Sequence, residues 1–383
     1  MDYTVAPPIF RLRKAFRYLR LYGPRRTYVK VAGQYHMRRK FTPLPPNDSP
    51  PSTSSHVGLI GCGNYAYSVL AYYLKRHHGS VIRACMDVDI NHAASLRESY
   101  QASYYTTDAD RILGDPDIDV VFIASNHASH AEYAIKALQA GKDVHIEKPH
   151  VVSFDQLQRL CDAAARSSGR VLSLGYNRPL SPIGSLIRET LWSEPGEIMQ
   201  NWFIAGHEIA EDHWYFKPEE GGRVLGNLCH WTDLTLQFMP PERRYPIRII
   251  PARSAKSDCD IAVSFIFGDG SIGVLTFSAK GHAFEGVKER YSAHRGNVLL
   301  AMDDFQTIQI DRIAEKRRIR LRYRDHGHKA SVLHSYNLSR DKAAPGLPVA
   351  DIWDTGNVFL STKDALEAGH PVTVEKLVPT SKG

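Results

Sequence analysis

The sequence predicts a two-domain α/β protein, in which a parallel-sheet domain precedes an α+β domain with a largely antiparallel, open sheet. Between about residues 57 and 176, short β-branched runs alternate with helical stretches, which is typical of βαβ units and a parallel sheet. Beyond about residue 177 helical patterns become fewer. There the apolar runs 261–267 and 271–277 flank a Gly-Asp-Gly turn, a pattern typical of a β-hairpin.

Residues 1–55 are predicted to form a basic arm and a linker in front of these domains. Residues 1–40 contain eleven Lys and Arg but one acidic residue, whereas the whole chain has 48 basic and 41 acidic residues. The charge excess therefore belongs to the arm, and we expect no nucleic-acid partner. Residues 43–55 are rich in Pro and Ser, which favours a semi-stiff linker.

Residues 9–22 of the arm are predicted to form a basic amphipathic helix, with four apolar side chains on one face: Ile9, Leu12, Phe16 and Leu19. Three explanations fit this pattern. The apolar face packs on the protein's own body or on a neighbouring subunit, it lies on an anionic membrane surface, or the segment is a cleaved targeting sequence.

The lack of long apolar runs and the cysteine pattern predict a cytoplasmic protein. No stretch approaches the ~18 consecutive apolar residues of a membrane span, and no apolar core of a secretory signal is seen. The five cysteines are widely spaced and form no CxxC pair, which favours reduced thiols; they are Cys62, Cys85, Cys161, Cys229 and Cys259. No metal site is predicted, since neither the pair His127 and His130 nor the histidines of segment 326–334 have accompanying carboxylates or a CxxC pattern.

The first predicted strand ends in a glycine-rich turn, Gly61-Cys62-Gly63-Asn64-Tyr65-Ala66, which matches GxGxxA. The first glycine permits a tight turn, the second lets backbone approach a pyrophosphate, and the small Ala66 allows close helix–strand packing. Because this turn follows a strand and opens a helix, it predicts a Rossmann dinucleotide-binding domain, to which we assign residues 56–177. Residues 178–383 are assigned to the second domain.

Asp87 at the end of the second predicted strand indicates which dinucleotide binds. It stands 24 positions after Gly63, near the ~20-residue spacing of a ribose-binding carboxylate. A carboxylate accepts hydrogen bonds from ribose hydroxyls and repels a 2′-phosphate, and Val88-Asp89-Ile90 offers no arginine for that phosphate. NAD(H) is therefore favoured over NADP(H).

Two polar segments follow the next predicted strands. Ser125-Asn126-His127 follows one strand, and Glu147-Lys148-Pro149 follows the next. Open α/β sheets bind ligands at the carboxyl ends of their strands. A lysine at that edge can carry a proton, or polarise an alcohol or carbonyl, beside a nicotinamide.

Together these segments resemble the family of glucose–fructose oxidoreductase and inositol dehydrogenase (Gfo/Idh/MocA). Matching pieces lie across most of residues 57–240: Gly61–Ala66, 117–124, 140–142, Glu147-Lys148-Pro149, 175–178, and Gly221-Gly222 through 230–233. The second half looks more like a branch associated with bacterial surface-polysaccharide synthesis, on segments 212–214, 221–230, 287–290 and 327–329.

The resemblance implies that residues 178–383 form a substrate-binding and oligomerisation domain. It also implies a homo-oligomer that acts on a sugar, nucleotide-sugar or polyol with NAD(H). It assigns Lys148 to the reacting carbon, His230 to acid–base catalysis and Glu147 to the border of the nicotinamide. The cofactor-binding set would be Gly61, Gly63, Asn64, Tyr65, Ala66, Asp87, Ser125, Asn126, His127, His130, Glu147 and Lys148. Specificity would rest on residues of the second domain, with Arg178, Trp214 and Asn227 as candidates.

One position departs from the family pattern. Many members carry an acidic residue four positions before the histidine, where this chain has Gly226. Three hypotheses follow: an ordinary NAD(H)-dependent oxidoreductase, an enzyme that keeps and recycles bound NAD within one turnover, or a catalytically impaired cofactor-binding subunit that regulates a partner.

Overall fold

The computed structural model of the chain describes residues 3–47, 54–167, 169–207, 209, 212–254, 260–281, 286–341 and 346–376. The chain divides into two compact units. The first comprises Met1–Asn177 with Gly327–Gly356, and the second comprises Arg178–His326 with Asn357–Gly383.

The first unit is built on a six-stranded parallel sheet with the strand order β3-β2-β1-β4-β5-β6. The strands are β1 Val57–Ile60, β2 Ile82–Met86, β3 Tyr104–Thr106, β4 Val120–Ile123, β5 Asp143–Ile146 and β6 Leu172–Leu174. The order reverses between β1 and β4, and ligands of open α/β sheets bind at such a switch point. The predicted parallel sheet is confirmed.

The first unit also contains helices. They are α1 Pro8–His36, α2 Tyr72–His78, α3 Ile90–Tyr100, α4 Ala109–Leu113, α5 His127–Gln139, α6 Phe154–Arg166 and α9 His328–Arg340, and a π-helical turn, Ala66–Ala71, leads into α2. Side-chain caps begin several of them: Asp89 accepts from the Asn91 N–H at α3, and Ser153 accepts from the Gln156 N–H at α6.

The arm and part of the predicted linker belong to the first unit. The Tyr105 N–H donates to Asn47 Oδ1 at 2.8 Å, and the Tyr105 hydroxyl donates to the Pro45 carbonyl at 2.7 Å. These bonds attach residues 45–47 to the strand β3. Residues 48–53 of the predicted linker lie outside the described residues.

A segment from the second half of the sequence returns to the first unit. Helix α9 buries Val332 and Tyr336 in the apolar core of this unit. Its Ser335 hydroxyl lies 2.8 Å from His145 Nδ1 in β5. Residues 327–356 therefore pack with the parallel sheet, although the sequence pattern places them with the second domain.

The second unit is built on a nine-stranded sheet with the order β14-β13-β12-β11-β7-β10-β9-β8-β15. Its strands are β7 Ile198–Ala205, β8 Ile247–Arg253, β9 Asp260–Ile266, β10 Ile272–Ser278, β11 Lys288–Arg295, β12 Val298–Asp303, β13 Thr307–Arg312, β14 Glu315–Arg320 and β15 Val372–Val374. Neighbouring strands are antiparallel except for β7 and β10. The predicted hairpin is the pair β9–β10, so this expectation is confirmed.

One face of this sheet carries the core of the second unit, which includes Trp202, Trp231 and Phe238. This unit contains the helices α7 Pro182–Trp192 and α8 Cys229–Gln237, and α10 Val349–Ala368 follows α9 along the chain. The opposite face of β7 exposes alternate side chains, among them Met199 and Phe203. The sheet is therefore open on one side within the described part of this unit.

Four of the five cysteines are buried and are in no disulfide, and Cys259 lies outside the described residues. Across the described ranges, no group of three or more His, Cys, Asp or Glu side chains is arranged to hold a metal ion. No helix within those ranges combines the length and apolarity needed to cross a membrane.

Candidate cofactor and active site

The glycine turn lies at the switch point, directly after β1. Gly61 has φ 88°, and a Cβ there would stand 2.4 Å from the Ala124 carbonyl oxygen, so this position requires glycine. A Cβ on Gly63 would meet no atom within 4 Å. The backbone at Gly63 therefore borders open space, as a turn that admits a pyrophosphate must, while the buried Ala66 packs against the sheet.

Asp87 is fixed against this turn. Its Oδ2 accepts the Cys62 N–H at 2.7 Å, and its Oδ1 accepts the Asp89 N–H at 2.9 Å. The carboxylate is 13% exposed. It thus has a set orientation beside the glycine turn and an accessible edge, which fits a carboxylate that receives the hydroxyls of a ribose.

Basic side chains near Asp87 are already paired with acids. His92 Nδ1 lies 3.6 Å from Asp87 Oδ1, and this nearby carboxylate raises the pKa of His92. Lys40 from the arm contacts Asp89 Oδ2 at 2.7 Å and holds the pKa of Asp89 well below its usual range. Lys40 stands 49 positions before Asp89, so the sequence did not predict this pair.

The loops after β4 and β5 are tied together by His130. The ring nitrogens lie 2.8 Å from the Pro149 carbonyl and 3.1 Å from the Ser125 carbonyl. His130 is buried, and burial lowers its pKa. This ring therefore holds the two loops in register, and direct contact of His130 with a cofactor stays a prediction.

The remaining predicted residues of the β4 edge begin helix α5. Ser125 Oγ lies 2.7 Å from Ser129 Oγ, and Asn126 Oδ1 accepts from the Ser129 hydroxyl at 2.6 Å. His127 is the first residue of α5 and is 3% exposed. Asn126 thus presents its side chain at a helix N-terminus, where backbone N–H groups favour anionic ligands.

Glu147 forms the buried end of β5. Its Oε1 lies 3.1 Å from His145 Nε2, and its carboxylate interacts electrostatically with Tyr65 of the glycine turn. Burial is the main cause that raises the pKa of Tyr65, and the negative charge of Glu147 is the second cause. A Cβ on Gly175 would lie 2.7 Å from this carboxylate, so the β6 edge leaves room for it. Lys148, the next residue, is partly exposed.

In the second unit, His230 lies on α8 directly after a π-helical turn, Val224–Leu228. Such turns inside helices are frequent at functional sites. His230 is partly exposed, whereas its neighbour Trp231 is fully buried. The Trp231 indole N–H donates to Glu289 Oε2 at 2.8 Å, which anchors the helix that carries His230.

Arg178 has a structural role that the sequence did not predict. Its Nε donates to Glu289 Oε2 at 2.8 Å and its Nη2 donates to Oε1 at 2.7 Å, with both side chains buried. Its guanidinium also lies over the Trp231 ring, 5.1 Å from the centroid. The guanidinium is therefore used to hold Glu289 and Trp231, and substrate contact by Arg178 stays an untested prediction.

Around Gly226, two polar contacts replace the expected carboxylate. The Tyr215 hydroxyl donates to the Gly226 carbonyl at 3.3 Å, and Arg223 Nη1 donates to Asn227 Oδ1 at 3.2 Å. Trp214 is 38% exposed, and its ring meets that of Tyr215 edge-on at 4.6 Å. The structure therefore brings Trp214 and Asn227 to one region of the second unit, together with Tyr215 and Arg223, which the sequence did not single out.

The strand order, the glycine turn and the carboxylate after β2 define a dinucleotide-binding Rossmann domain. Comparison with known proteins gives its family. Residues 55–176 match the Gfo/Idh/MocA family, an oxidoreductase family with an NAD-binding Rossmann fold. Residues 55–176 therefore match the NAD-binding domain of the Gfo/Idh/MocA oxidoreductases, and the prediction of NAD as cofactor is confirmed.

Known relatives cover part of the chain. The uncharacterized oxidoreductase YrbE of Bacillus subtilis (strain 168) is 34% identical over 227 residues, which are 57% of this chain and 65% of YrbE. Inositol 2-dehydrogenase of Ralstonia nicotianae (strain ATCC BAA-1114 / GMI1000) is 30% identical over 125 residues, or 32% of this chain and 37% of that enzyme. The chain thus spans less than two thirds of the length of each relative.

A solved structure extends the likeness to both units. Levoglucosan dehydrogenase in complex with NADH and levoglucosan has a TM-score of 0.70 at 15% identity, and the match covers 84% of this chain and 99% of that chain. At this identity the likeness concerns the fold, so the predicted fold class is confirmed. Membership of the polysaccharide-synthesis branch stays a prediction.

Proposed function

We propose that this chain is an NAD(H)-dependent oxidoreductase that acts on a carbinol or keto carbon of a sugar, nucleotide-sugar or polyol. The observation that carries the proposal is the position of Lys148. It follows Glu147 at the carboxyl end of β5, and burial, together with the Glu147 carboxylate, raises the pKa of Tyr65 of the glycine turn. The candidate reacting lysine is therefore the neighbour of a carboxylate that interacts with the cofactor-binding turn within one compact unit.

The residues that would hold NAD are those of the glycine turn together with Asp87. Bound NAD supplies the hydride acceptor or donor for the substrate carbon. The open backbone face of Gly63 admits a pyrophosphate, and Asp87 accepts hydrogen bonds from a ribose. The Asp87 carboxylate opposes a 2′-phosphate, and Lys40, which could compensate that charge, is paired with Asp89.

Lys148 and His230 are assigned to proton handling. An ammonium group can donate a hydrogen bond to the reacting oxygen and stabilise the charge that develops there. A histidine can accept the hydroxyl proton during oxidation and return it during reduction. Without an acidic residue at position 226, we assign the orientation of His230 to its helix, which Trp231 and Glu289 anchor.

For the substrate, the second unit offers an aromatic and an amide side chain. The partly exposed Trp214 ring suits the apolar face of a sugar, and Asn227 can hydrogen-bond hydroxyl groups. Similarity to an inositol 2-dehydrogenase and to a levoglucosan dehydrogenase supports a polyhydroxylated substrate. A nucleotide-sugar remains our extension of that class.

The decisive experiment measures NADH formation on a panel containing myo-inositol, levoglucosan, free hexoses and UDP-sugars. Lys148→Met should abolish turnover while NADH binding through the glycine turn and Asp87 is largely retained. Lys136→Met is the matched control, because Lys136 is an exposed lysine of α5 in the same unit. Wild-type turnover by Lys148→Met would refute the assigned role.

Two other outcomes would select a different function. Product formation without release of NADH would indicate that bound NAD is recycled within the turnover. No reaction with any substrate, together with firm NADH binding and stable capture of a partner enzyme, would favour a regulatory subunit. The missing carboxylate at Gly226 is the observation that keeps this second candidate open.

We also propose that the chain forms a homo-oligomer through the open face of the nine-stranded sheet. Four large apolar side chains are exposed there on β7, β10 and β12: Met199, Phe203, Ile272 and Leu299, at 52%, 47%, 41% and 59%. An exposed apolar sheet face of this kind usually meets a partner surface. Light scattering should give a multiple of the chain mass, and Phe203→Glu with Leu299→Glu should reduce it.

A further inference from the structure

The arm forms a helical hairpin, residues 8–36, which we call the N-terminal hairpin. Helix α1 is interrupted at Gly23, which has φ 79°, and Pro24 follows it. Arg11 Nη1 then comes within 3.5 Å of the Tyr35 hydroxyl, although the two residues are 24 positions apart in the sequence. In a straight helix they would lie several turns apart. The segment after Gly23 lies against the Rossmann unit, where His36 Nε2 lies 2.7 Å from the Cys62 carbonyl.

The segment before Gly23 carries an apolar stripe. Its members recur every three or four residues and share one face. The exposed fractions are 66% for Ile9, 71% for Leu12, 55% for Phe16 and 38% for Leu19, and the preceding Val5 is 68% exposed. The stripe therefore does not pack on the described part of its own chain. Packing on the protein's own body or on a neighbouring subunit was one explanation of the sequence pattern, and the described residues do not cover Ile9, Leu12 and Phe16.

The surroundings of the stripe are uniformly basic. Residues 3–47 contain no Asp or Glu, and Arg13 and Arg20 are exposed beside the stripe. Inside the hairpin, a cavity of about 120 Å³ is lined by Lys14, Ala15, Tyr18, Thr27, Lys30, Val31 and Gln34. Burial, with Arg26 and Lys14 nearby, lowers the pKa of Lys30 to about 8.

This charge distinguishes between two occupants of the stripe. A second copy of the hairpin would bring its own Arg13 and Arg20 into the same contact, and the segment has no carboxylate to offset them. An anionic bilayer provides an apolar interior for the stripe and phosphates for the flanking arginines. A helix of this kind lies in the interface plane, in keeping with the absence of a membrane-crossing helix from the described residues.

We propose that the outer face of the N-terminal hairpin docks on anionic phospholipid bilayers. Leu12 and Phe16 enter the acyl boundary, while Arg13 and Arg20 contact lipid phosphates. The segment after Gly23 packs on the glycine turn, so docking would hold the Rossmann unit at the membrane surface. This inference is independent of the proposed catalytic function.

The first test is flotation of the full chain with vesicles of phosphatidylcholine, alone or mixed with phosphatidylglycerol. We expect binding to the mixed vesicles only. Raising NaCl from about 0.1 M to about 1 M should weaken this binding, because screening shortens the reach of the arginine charges from about 10 Å to about 3 Å. Failure to bind phosphatidylglycerol vesicles at low salt would overturn the proposal.

Paired variants separate the contribution of the apolar side chains to vesicle binding from that of the arginines. Leu12→Glu with Phe16→Glu, and Arg13→Glu with Arg20→Glu, should each lower vesicle affinity about ten-fold or more. The matched controls are Ile313→Glu, an 86% exposed apolar residue, and Arg317→Glu with Arg320→Glu on the exposed strand β14. The controls should bind as the wild type does.

Solution mass and NADH affinity of the same variants complete the test. Because the stripe faces solvent, neither quantity should change, and retained NADH binding shows that the variants are folded. If Leu12→Glu with Phe16→Glu lowers the mass in solution and leaves vesicle binding unchanged, the stripe is a contact between copies of the chain and the proposal is wrong.

Discussion

His36 connects the N-terminal hairpin to the cofactor-binding turn, and its replacement tests whether the arm supports NAD binding. Its Nε2 lies 2.7 Å from the Cys62 carbonyl and its Nδ1 lies 2.9 Å from Ser95 Oγ. The ring stacks on Tyr67 at 4.4 Å between centroids. Since Asp87 accepts the Cys62 N–H, side chains contact both backbone polar groups of Cys62, the N–H and the carbonyl.

The size of the expected effect follows from these contacts. A net hydrogen bond is worth about 0.5–1.5 kcal/mol. If that energy holds the turn in its binding geometry, His36→Ala can weaken NADH affinity by about 2- to 12-fold and by no more. Loss of the buried ring should also lower the free energy of unfolding by about 2–4 kcal/mol, because a cavity and an unpaired Cys62 carbonyl remain.

The assay is a titration of His36→Ala with NADH, followed by nicotinamide fluorescence at a temperature where the variant is fully folded. Tyr336→Phe is the control, since it removes the hydrogen bond to His56 Nε2 at 3.1 Å in the same unit without touching the glycine turn. It should leave NADH affinity unchanged. Equal affinities for His36→Ala and the wild type would refute the coupling between the arm and the turn.

Three further results are expected. Glu289→Gln should lower the free energy of unfolding by about 3 kcal/mol in chemical denaturation, because the buried Arg178 loses its counter-charge; an unchanged midpoint would contradict this. Gly61→Ala should abolish NADH binding, since the added methyl meets a backbone carbonyl at 2.4 Å; wild-type affinity would show that the turn tolerates it. Burial lowers the pKa of His36 to about 4 and that of His150 to about 3. Protons then bind the unfolded chain first, so the melting temperature should fall as pH drops from about 6.5 to about 4, and a constant value there would contradict these assignments.

The Rossmann half could be predicted because its signals are local. Buried parallel strands appear as β-branched runs, as in Val120–Ile123, and the glycine turn has fixed spacing. Strand β3 and helix α4 have three and five residues and were not predicted, because segments this short show no periodicity. The return of α9 to the parallel sheet depends on packing of Val332 and Tyr336 with residues far away in the sequence.

The same distinction applies to the candidate site. The glycine turn and Asp87 were found from spacing, and the structure places them together. The partner of Arg178 is Glu289, 111 residues later, and nothing in the local pattern of either residue indicates the pair. An arginine that follows a strand has the same local pattern whether it binds a substrate or a buried carboxylate.

The central claim is that the first unit binds NAD(H) as the cofactor of an oxidoreductase. Its most direct test is a parallel titration of the full chain with NADH and NADPH, after any carried-over cofactor has been removed. We predict firm NADH binding, NADPH binding weaker by about ten-fold or more because Asp87 opposes the 2′-phosphate, and a smaller difference for Asp87→Ser. Binding of neither nucleotide, or tighter binding of NADPH, would contradict the account.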